Sequence, residues 1–271
     1  MKNEERRVIN QERIKMKHTL YVIVIAVVAA LSMASCKVVL VGDLGPMKTK
    51  AMKVQPFSSI DCGCPASAVN YIQADSFEVV IEAPEKLMAE IKVSDKNGTL
   101  TINKNDDDRL FADNDLSDKI KITIKSPTLT NVEISGSANF YQKGFFKTNS
   151  LTLVTSGACA FNLDSVEINN AFDVEMSGAG HLKMKSLKAK TVSIDNSGAQ
   201  DVTGKIIDAD KIEVETSGAG HVKLNVSNVG SITGEVSGVG DVDVTGSAES
   251  FNVKVSGVGS ASGPNIQKRK K

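Results

Sequence analysis

Seven Ser-Gly dipeptides recur along the second half of the chain at a near-constant stride. Their serines are Ser135, Ser156, Ser177, Ser197, Ser217, Ser237 and Ser256, at intervals of 21, 21, 20, 20, 20 and 19 residues. A fixed period of this size marks a stacked repeat. A unit of about 20 residues cannot bury an apolar face alone, so successive copies must lie on one another and share a core.

Aligned on the serine, apolar residues fall five positions earlier (Leu151, Phe172, Val192, Ile212, Ile232, Phe251) and three earlier (Val132, Leu153, Val174, Ile194, Val214, Val253). They return five positions later (Phe140, Phe161, Leu182, Val202, Val222, Val242). Spacing by two on both flanks of a glycine corner predicts two short strands joined by a turn. Corners such as Ser177-Gly178-Ala179-Gly180 supply glycines that tolerate positive φ and place no Cβ against the coil above. Strands repeated in the same sense pair in parallel with coils ~4.8 Å apart, a stack of roughly 34 Å for seven coils. The expected fold is all-β: a single-stranded parallel β-helix, or solenoid, of about 20 residues per coil. All six prolines (Pro46, Pro56, Pro65, Pro84, Pro127, Pro264) lie outside 128–263, as a backbone that donates almost every N–H to its neighbour requires.

Residues 1–36 read as a signal peptide. The run Leu20–Leu31 is apolar and uncharged, follows Arg13, Lys15 and Lys17, and precedes Met33-Ala34-Ser35-Cys36. Its 12 residues suit a signal-peptide core better than a bilayer span. Small residues before a cysteine resemble a bacterial lipobox, which makes Cys36 the expected lipid attachment site and the membrane a partner through that lipid. Met16 is an alternative start that shortens the leader. Beyond residue 36 the chain carries 26 basic and 29 acidic residues, net −3, which gives no reason to expect a nucleic-acid partner. Three cysteines remain, Cys62, Cys64 and Cys159, an odd number without a disulfide framework. Cys62-Gly63-Cys64 reads as ordinary thiols or a local bridge, with a metal or redox pair as the alternative.

The expected organisation continues with a linker at 37–55 and a strand-rich section at 56–127 that caps the first coil and supplies early, irregular ones. Regular repeats fill 128–263, and a basic tail occupies 264–271, with Pro264 stopping the last strand. Asn97-Gly98 predicts a hairpin turn.

The segments Phe57-Ser58-Ser59-Ile60, Phe77–Glu82, Gly98–Ile102 and Ile134-Ser135-Gly136-Ser137-Ala138, with the later Ser-Gly-Ala-Gly and Ser-Gly-Val-Gly corners, resemble the head GIN domain family. These are auto-transporter-adhesin-like proteins, mostly lipoproteins of Bacteroidetes. The resemblance covers about residues 54–263 and implies a right-handed β-helix in the cell envelope. It offers no catalytic residues to carry over.

Stacking converts sequence columns into surface rows. Two positions before the serines stand Glu133, Val154, Glu175, Asp195, Glu215, Glu235 and Lys254, so four consecutive coils present carboxylates. Neighbours ~5 Å apart and alternates ~10 Å apart approach glycosidase separations, but any acidic column on such a fold does the same. The plain reading is a solvated stripe, with cation binding or catalysis as alternatives. Four positions after the serines, His181, Asp201, His221 and Asp241 alternate; they read as exposed polar residues, with a metal site as the alternative. Asp106, Asp107, Asp108, Asp113, Asp115 and Asp118 lack the glycine and terminal glutamate of an EF-hand, and read as an exposed loop or else a calcium site.

No phosphate loop, nucleophile elbow or zinc-protease helix occurs, and no cofactor, catalytic residue or resident metal is expected. The leading expectation is a non-enzymatic, adhesin-like scaffold or binding module for a glycan or envelope protein, able to self-associate through an exposed sheet or coil end. A carbohydrate-active lyase or hydrolase, and a small-molecule or lipid carrier, are the alternatives. The expected location is the outer membrane, on the periplasmic side in preference to the surface, because Lys37-Val38-Val39 after Cys36 carries no acidic export tag.

Overall fold

The computed structural model describes residues 43–105 and 116–269. The leader and Cys36 lie outside them, as do Asp106, Asp107, Asp108, Asp113 and Asp115 of the acidic loop.

The chain opens with β1 (Met47–Lys53), β2 (Ser59–Cys62), β3 (Ala66–Gln73) and β4 (Glu78–Pro84). A short helix, α1 (Glu85–Glu90), buries Leu87 and leads to the hairpin β5 (Ile91–Lys96) and β6 (Thr99–Lys104). The hairpin turns at Asn97 and Gly98, with φ of 51° and 76°, the left-handed pair that Asn-Gly favours. Next come β7 (Lys121–Ser126), β8 (Asn131–Ile134), β9 (Ser137–Thr148), β10 (Leu151–Thr155), β11 (Ala158–Met176) and β12 (Ala179–Asn196). The last strands are β13 (Ala199–Ile207), β14 (Lys211–Thr216), β15 (Ala219–Val236), β16 (Val239–Val255), β17 (Val258–Ser262) and β18 (Asn265–Ile266).

From β8 onward every pairing between these strands is parallel. Val132 faces Leu153, which faces Val174, then Ile194, Val214, Gly234 and Val253. These partners reproduce the serine intervals, so each repeat is one turn of a β-solenoid. The apolar columns three before and five after the serine point inward: Val132, Leu153, Phe161, Leu182, Val202, Val214 and Val222 have no exposed surface. The core is continuous from Phe57 to Ala248.

The glycine after each serine is required by crowding. A Cβ at Gly157, Gly178, Gly198, Gly218 or Gly238 would overlap the carbonyl oxygen of the equivalent glycine one rung earlier. None of these five has positive φ, so close backbone approach selects glycine here, whereas Gly180 of the same corner combines a positive φ of 142° with a Cβ position blocked by the Cys159 carbonyl.

Three boundaries differ from expectation. The linker at 37–55 contains β1, which pairs antiparallel with β4 while β4 pairs antiparallel with β7. These two strands continue one sheet past its first parallel rung, and β5 does the same beside β6. The outer strand β1 carries Lys48, Lys50 and Lys53, charges that discourage further pairing. Second, spatial order departs from chain order: β2 lies between β6 and β8, and β3 between β7 and β9. Third, the tail does not leave the solenoid at Pro264, since β18 pairs in parallel with β16 and Gln267 N–H donates to Ala248 O at 2.9 Å.

Candidate binding surface at the serine-glycine corner

Hydrogen bonding runs through the corner without a break. Ser177, Ser197 and Ser217 donate their backbone N–H to Thr155, Met176 and Asn196 of the preceding rung, at 2.9, 2.9 and 3.0 Å. The serine side chains are exposed, and the bare glycine backbone beside them leaves shallow recesses on either flank.

On the flank before the corner, Glu175 faces Asp195, Asp195 faces Glu215 and Glu215 faces Glu235, all four exposed. Asp195, Glu215 and Glu235 line a recess of about 340 Å³ with Ser197, Ser217 and Ser237. The ladder has a member that the serine stride misses, because Asp61 faces Glu133 in the interposed β2. Its signal is Asp61-Cys62-Gly63, an acidic-apolar-glycine pattern one residue shorter than Glu133-Ile134-Ser135-Gly136. A carboxylate pair that works as acid and base needs environments that separate the two groups. These four stand in similar exposed positions on equivalent rungs.

On the other flank, His181 faces Asp201 and His221 faces Asp241. The aspartates bind the next rung. Asp201 Oδ1 accepts the His221 backbone N–H at 2.9 Å, and Asp241 Oδ1 accepts the Ser260 N–H and hydroxyl at 2.8 and 2.7 Å. His221 Nδ1 lies 3.3 Å from Asp241 Oδ2. The Ser260 hydroxyl and N–H, with His221 nearby, hold the Asp241 carboxyl below its ordinary range. Among the described residues no group of three or more His, Cys, Asp or Glu is arranged to hold a metal. A concavity of about 520 Å³ runs along this flank, with Ala199, Ala219, Val239 and Val258 beside His221 and Asp241. Val239 and Val258 are 62% and 75% exposed.

The cysteines belong to the interior. Cys62, Cys64 and Cys159 are free and buried, and burial pushes each thiol up to about 12. Cys159 faces Ala138 and Gly180, a slot that takes only small residues on the neighbouring rungs. Among the described residues no helix is long and apolar enough to cross a membrane.

A family model described as "Putative auto-transporter adhesin, head GIN domain" matches residues 56–248 and, again, 190–270. The chain belongs to the head GIN domain family. The match spans both the interposed rung and the regular repeats, so the head GIN domain here is the solenoid itself. Similar solved structures agree in fold. A "putative adhesin" from Bacteroides fragilis shares 24% identity at a TM-score of 0.72, covering 81% of this chain and 97% of that one. "Putative adhesin" structures from Parabacteroides distasonis and Parabacteroides merdae share 18% and 16% identity, with TM-scores of 0.55 and 0.50. Each covers 82% of this chain, and 98% and 97% of its own. No curated protein matches the chain.

Proposed function

We propose that this head GIN protein is a non-enzymatic binding module of the cell envelope, anchored through a lipid on Cys36, that holds a glycan or an envelope protein along its corner. The observation that carries this reading is the continuity of the two rows. Glu175, Asp195, Glu215 and Glu235 on one flank, and His181, Asp201, His221 and Asp241 on the other, run unbroken over four successive rungs. Such a surface binds by summing weak contacts over ~4.8 Å steps. Its recesses are shallow and open, suited to an extended partner rather than an enclosed small molecule.

Four measurements test it. Metabolic labelling with palmitate is expected to mark the wild type and not Cys36→Ser, and protease treatment of intact cells reports which membrane face carries the protein. A glycan array and a binding assay on isolated envelopes are then compared for wild type and the quadruple variant E175K/D195K/E215K/E235K. Binding that falls at least about ten-fold supports the corner as the contact surface. Equal binding by both proteins removes the ladder from the account, and absence of palmitate label removes the anchor.

A further inference from the structure

We propose that Tyr141, with the carboxamides of Asn70, Asn139 and Asn162 around it, forms a site for an uncharged pyranose unit of a glycan. The inference rests on the binding-module reading and gives it a location and a ligand class.

The site is created by the exchange of rung order. Asn70 of β3 faces Tyr141 of β9 from one side, and Asn162 of β11 faces it from the other. Asn139 precedes Tyr141 by two residues on β9 and therefore shares its face. Its Nδ2 donates to Ser67 O at 3.2 Å, which fixes the amide plane. Ala160, buried and small, is the lateral neighbour of Asn139. Tyr141 is partly exposed, whereas Tyr71 is wholly buried and bonded to Ser126.

A pyranose has one face of C–H groups and a rim of hydroxyls. An aromatic face takes the first, and carboxamides, each donor and acceptor, take the second in pairs. Charge separates the ligand classes. In the column through Tyr141, its partners Asn70 and Asn162 and the next residue Thr123 are uncharged, and Lys183, the partner of Asn162, is the first charge. Later rungs of the same face carry the exposed Lys183, Lys185, Lys205 and Lys223. An anionic sugar would gain most along the lysine-bearing rungs, whereas an uncharged one needs only the ring and the amides. Lys143 Nζ sits 4.5 Å from the Tyr141 ring centroid, so a pyranose must displace this cation to stack.

The test uses the protein with ring-¹³C tyrosine and follows its aromatic NMR signals. Cellohexaose, laminarihexaose and mannohexaose are the uncharged probes and trigalacturonate the anionic one. At least one uncharged probe is expected to shift the Tyr141 ring signals and leave those of Tyr71 in place, which also reports an intact fold. Tyr141→Ala is expected to weaken binding about ten-fold or more, and Tyr141→Phe to retain it. Lys143→Ala is expected to strengthen it about three-fold, because the cation no longer competes for the ring. Uncharged binding that Tyr141→Ala leaves unchanged overturns the site while the binding-module reading stands. An equal shift with trigalacturonate overturns the ligand class. If none of the three uncharged probes moves the ring signals, the inference fails, even where binding to envelopes still depends on the carboxylate ladder.

Discussion

The Arg269 guanidinium reaches 59 positions back along the chain to donate to Asp210 Oδ1 at 2.6 Å. A second guanidinium N–H approaches Asp208 O at 3.4 Å, and the Arg269 backbone N–H donates to Glu249 Oε1 at 3.2 Å. The tail is therefore held across three rungs. Arg269→Ala is expected to lower global stability by only about 0.2–1 kcal/mol, since the pair is partly exposed. Its local effect is larger: backbone amides of Ile266 and Gln267 should lose hydrogen-exchange protection while those of β14 keep theirs. Retained protection at Gln267 would show that β18 holds without the arginine.

Substitution in the glycine column should separate the effect of backbone stacking from that of the exposed serine hydroxyl. Gly198→Ala sets a methyl group against the Gly178 carbonyl, and the rung must shift to admit it. The expected cost is about 1–3 kcal/mol, as for other overpacked sites. Ser197→Ala, one residue away, removes an exposed hydroxyl whose contact with Met176 O is long at 3.4 Å, and should change stability by less than about 0.5 kcal/mol. Urea denaturation of both variants checks the pair, and equal costs would contradict the stacking account.

What could be read from the sequence follows from this geometry. The backbone of Gly157, Gly178, Gly198, Gly218 and Gly238 stacks directly, so any drift of the stride is punished, and a stride that cannot drift shows plainly in one sequence. The rows on the strands adjoining the corner, including Glu175–Glu235 and His181–Asp241, could be numbered for the same reason. Asn70 beside Tyr141 could not. These residues come together because β3 slips between β7 and β9, an exchange of rungs that leaves no periodic trace. The tail hides for a different reason: Pro264 forfeits its own N–H, but Gln267 still donates to Ala248, so a proline that ends one strand does not end the coil.

The three described thiols should be inert in the folded protein. Burial pushes Cys62, Cys64 and Cys159 up to about 12, so at pH 8 roughly one thiol in ten thousand is a thiolate. Iodoacetamide at that pH is expected to leave all three unmodified by peptide mass spectrometry and to label all three in guanidinium. Labelling of Cys62 or Cys64 before unfolding would place the pair nearer solvent than the fold allows.

Acid should weaken two partly exposed lysine-aspartate pairs, Lys185 with Asp164 and Lys188 with Asp208. Hydrogen bonds from Lys185 and from the Gly144 N–H lower the Asp164 carboxyl, and those from Asn228 and Lys188 lower that of Asp208, both below the ordinary value of 3.8. A carboxylate depressed in the folded state contributes its full stability above the unfolded pKa, and loses it as pH falls through the folded one. Both groups are largely solvent-screened, so each contributes about 1 kcal/mol or less. Thermal midpoints should hold from pH 7 to about 5 and decline below about 4, with a shallower decline in Asp164→Asn/Asp208→Asn. An unchanged acid limb in that variant would assign the loss to other carboxylates.

The most informative substitution lies inside the corner. Gln200 is 1% exposed in a column that is otherwise small, between Gly180 and Gly220. Neither its Oε1 nor its Nε2 has a protein partner, and the Oγ1 of Thr216 and the Oδ1 of Asn196 are in the same position. The Asn196 Nδ2 bond to Gln200 O at 2.7 Å satisfies only the backbone carbonyl. A buried amide without partners costs about 1–3 kcal/mol, while the glycines on either side provide the room its side chain fills. Gln200→Met keeps the volume and removes both polar atoms, so it is expected to raise stability by about 1–2 kcal/mol in urea denaturation. Gln200→Gly also removes the polar atoms but opens a void, and should gain less. If methionine instead lowers stability, the glutamine amide is bonded to an internal water that methionine cannot hold, and a high-resolution crystal structure would place that water between Asn196, Gln200 and Thr216.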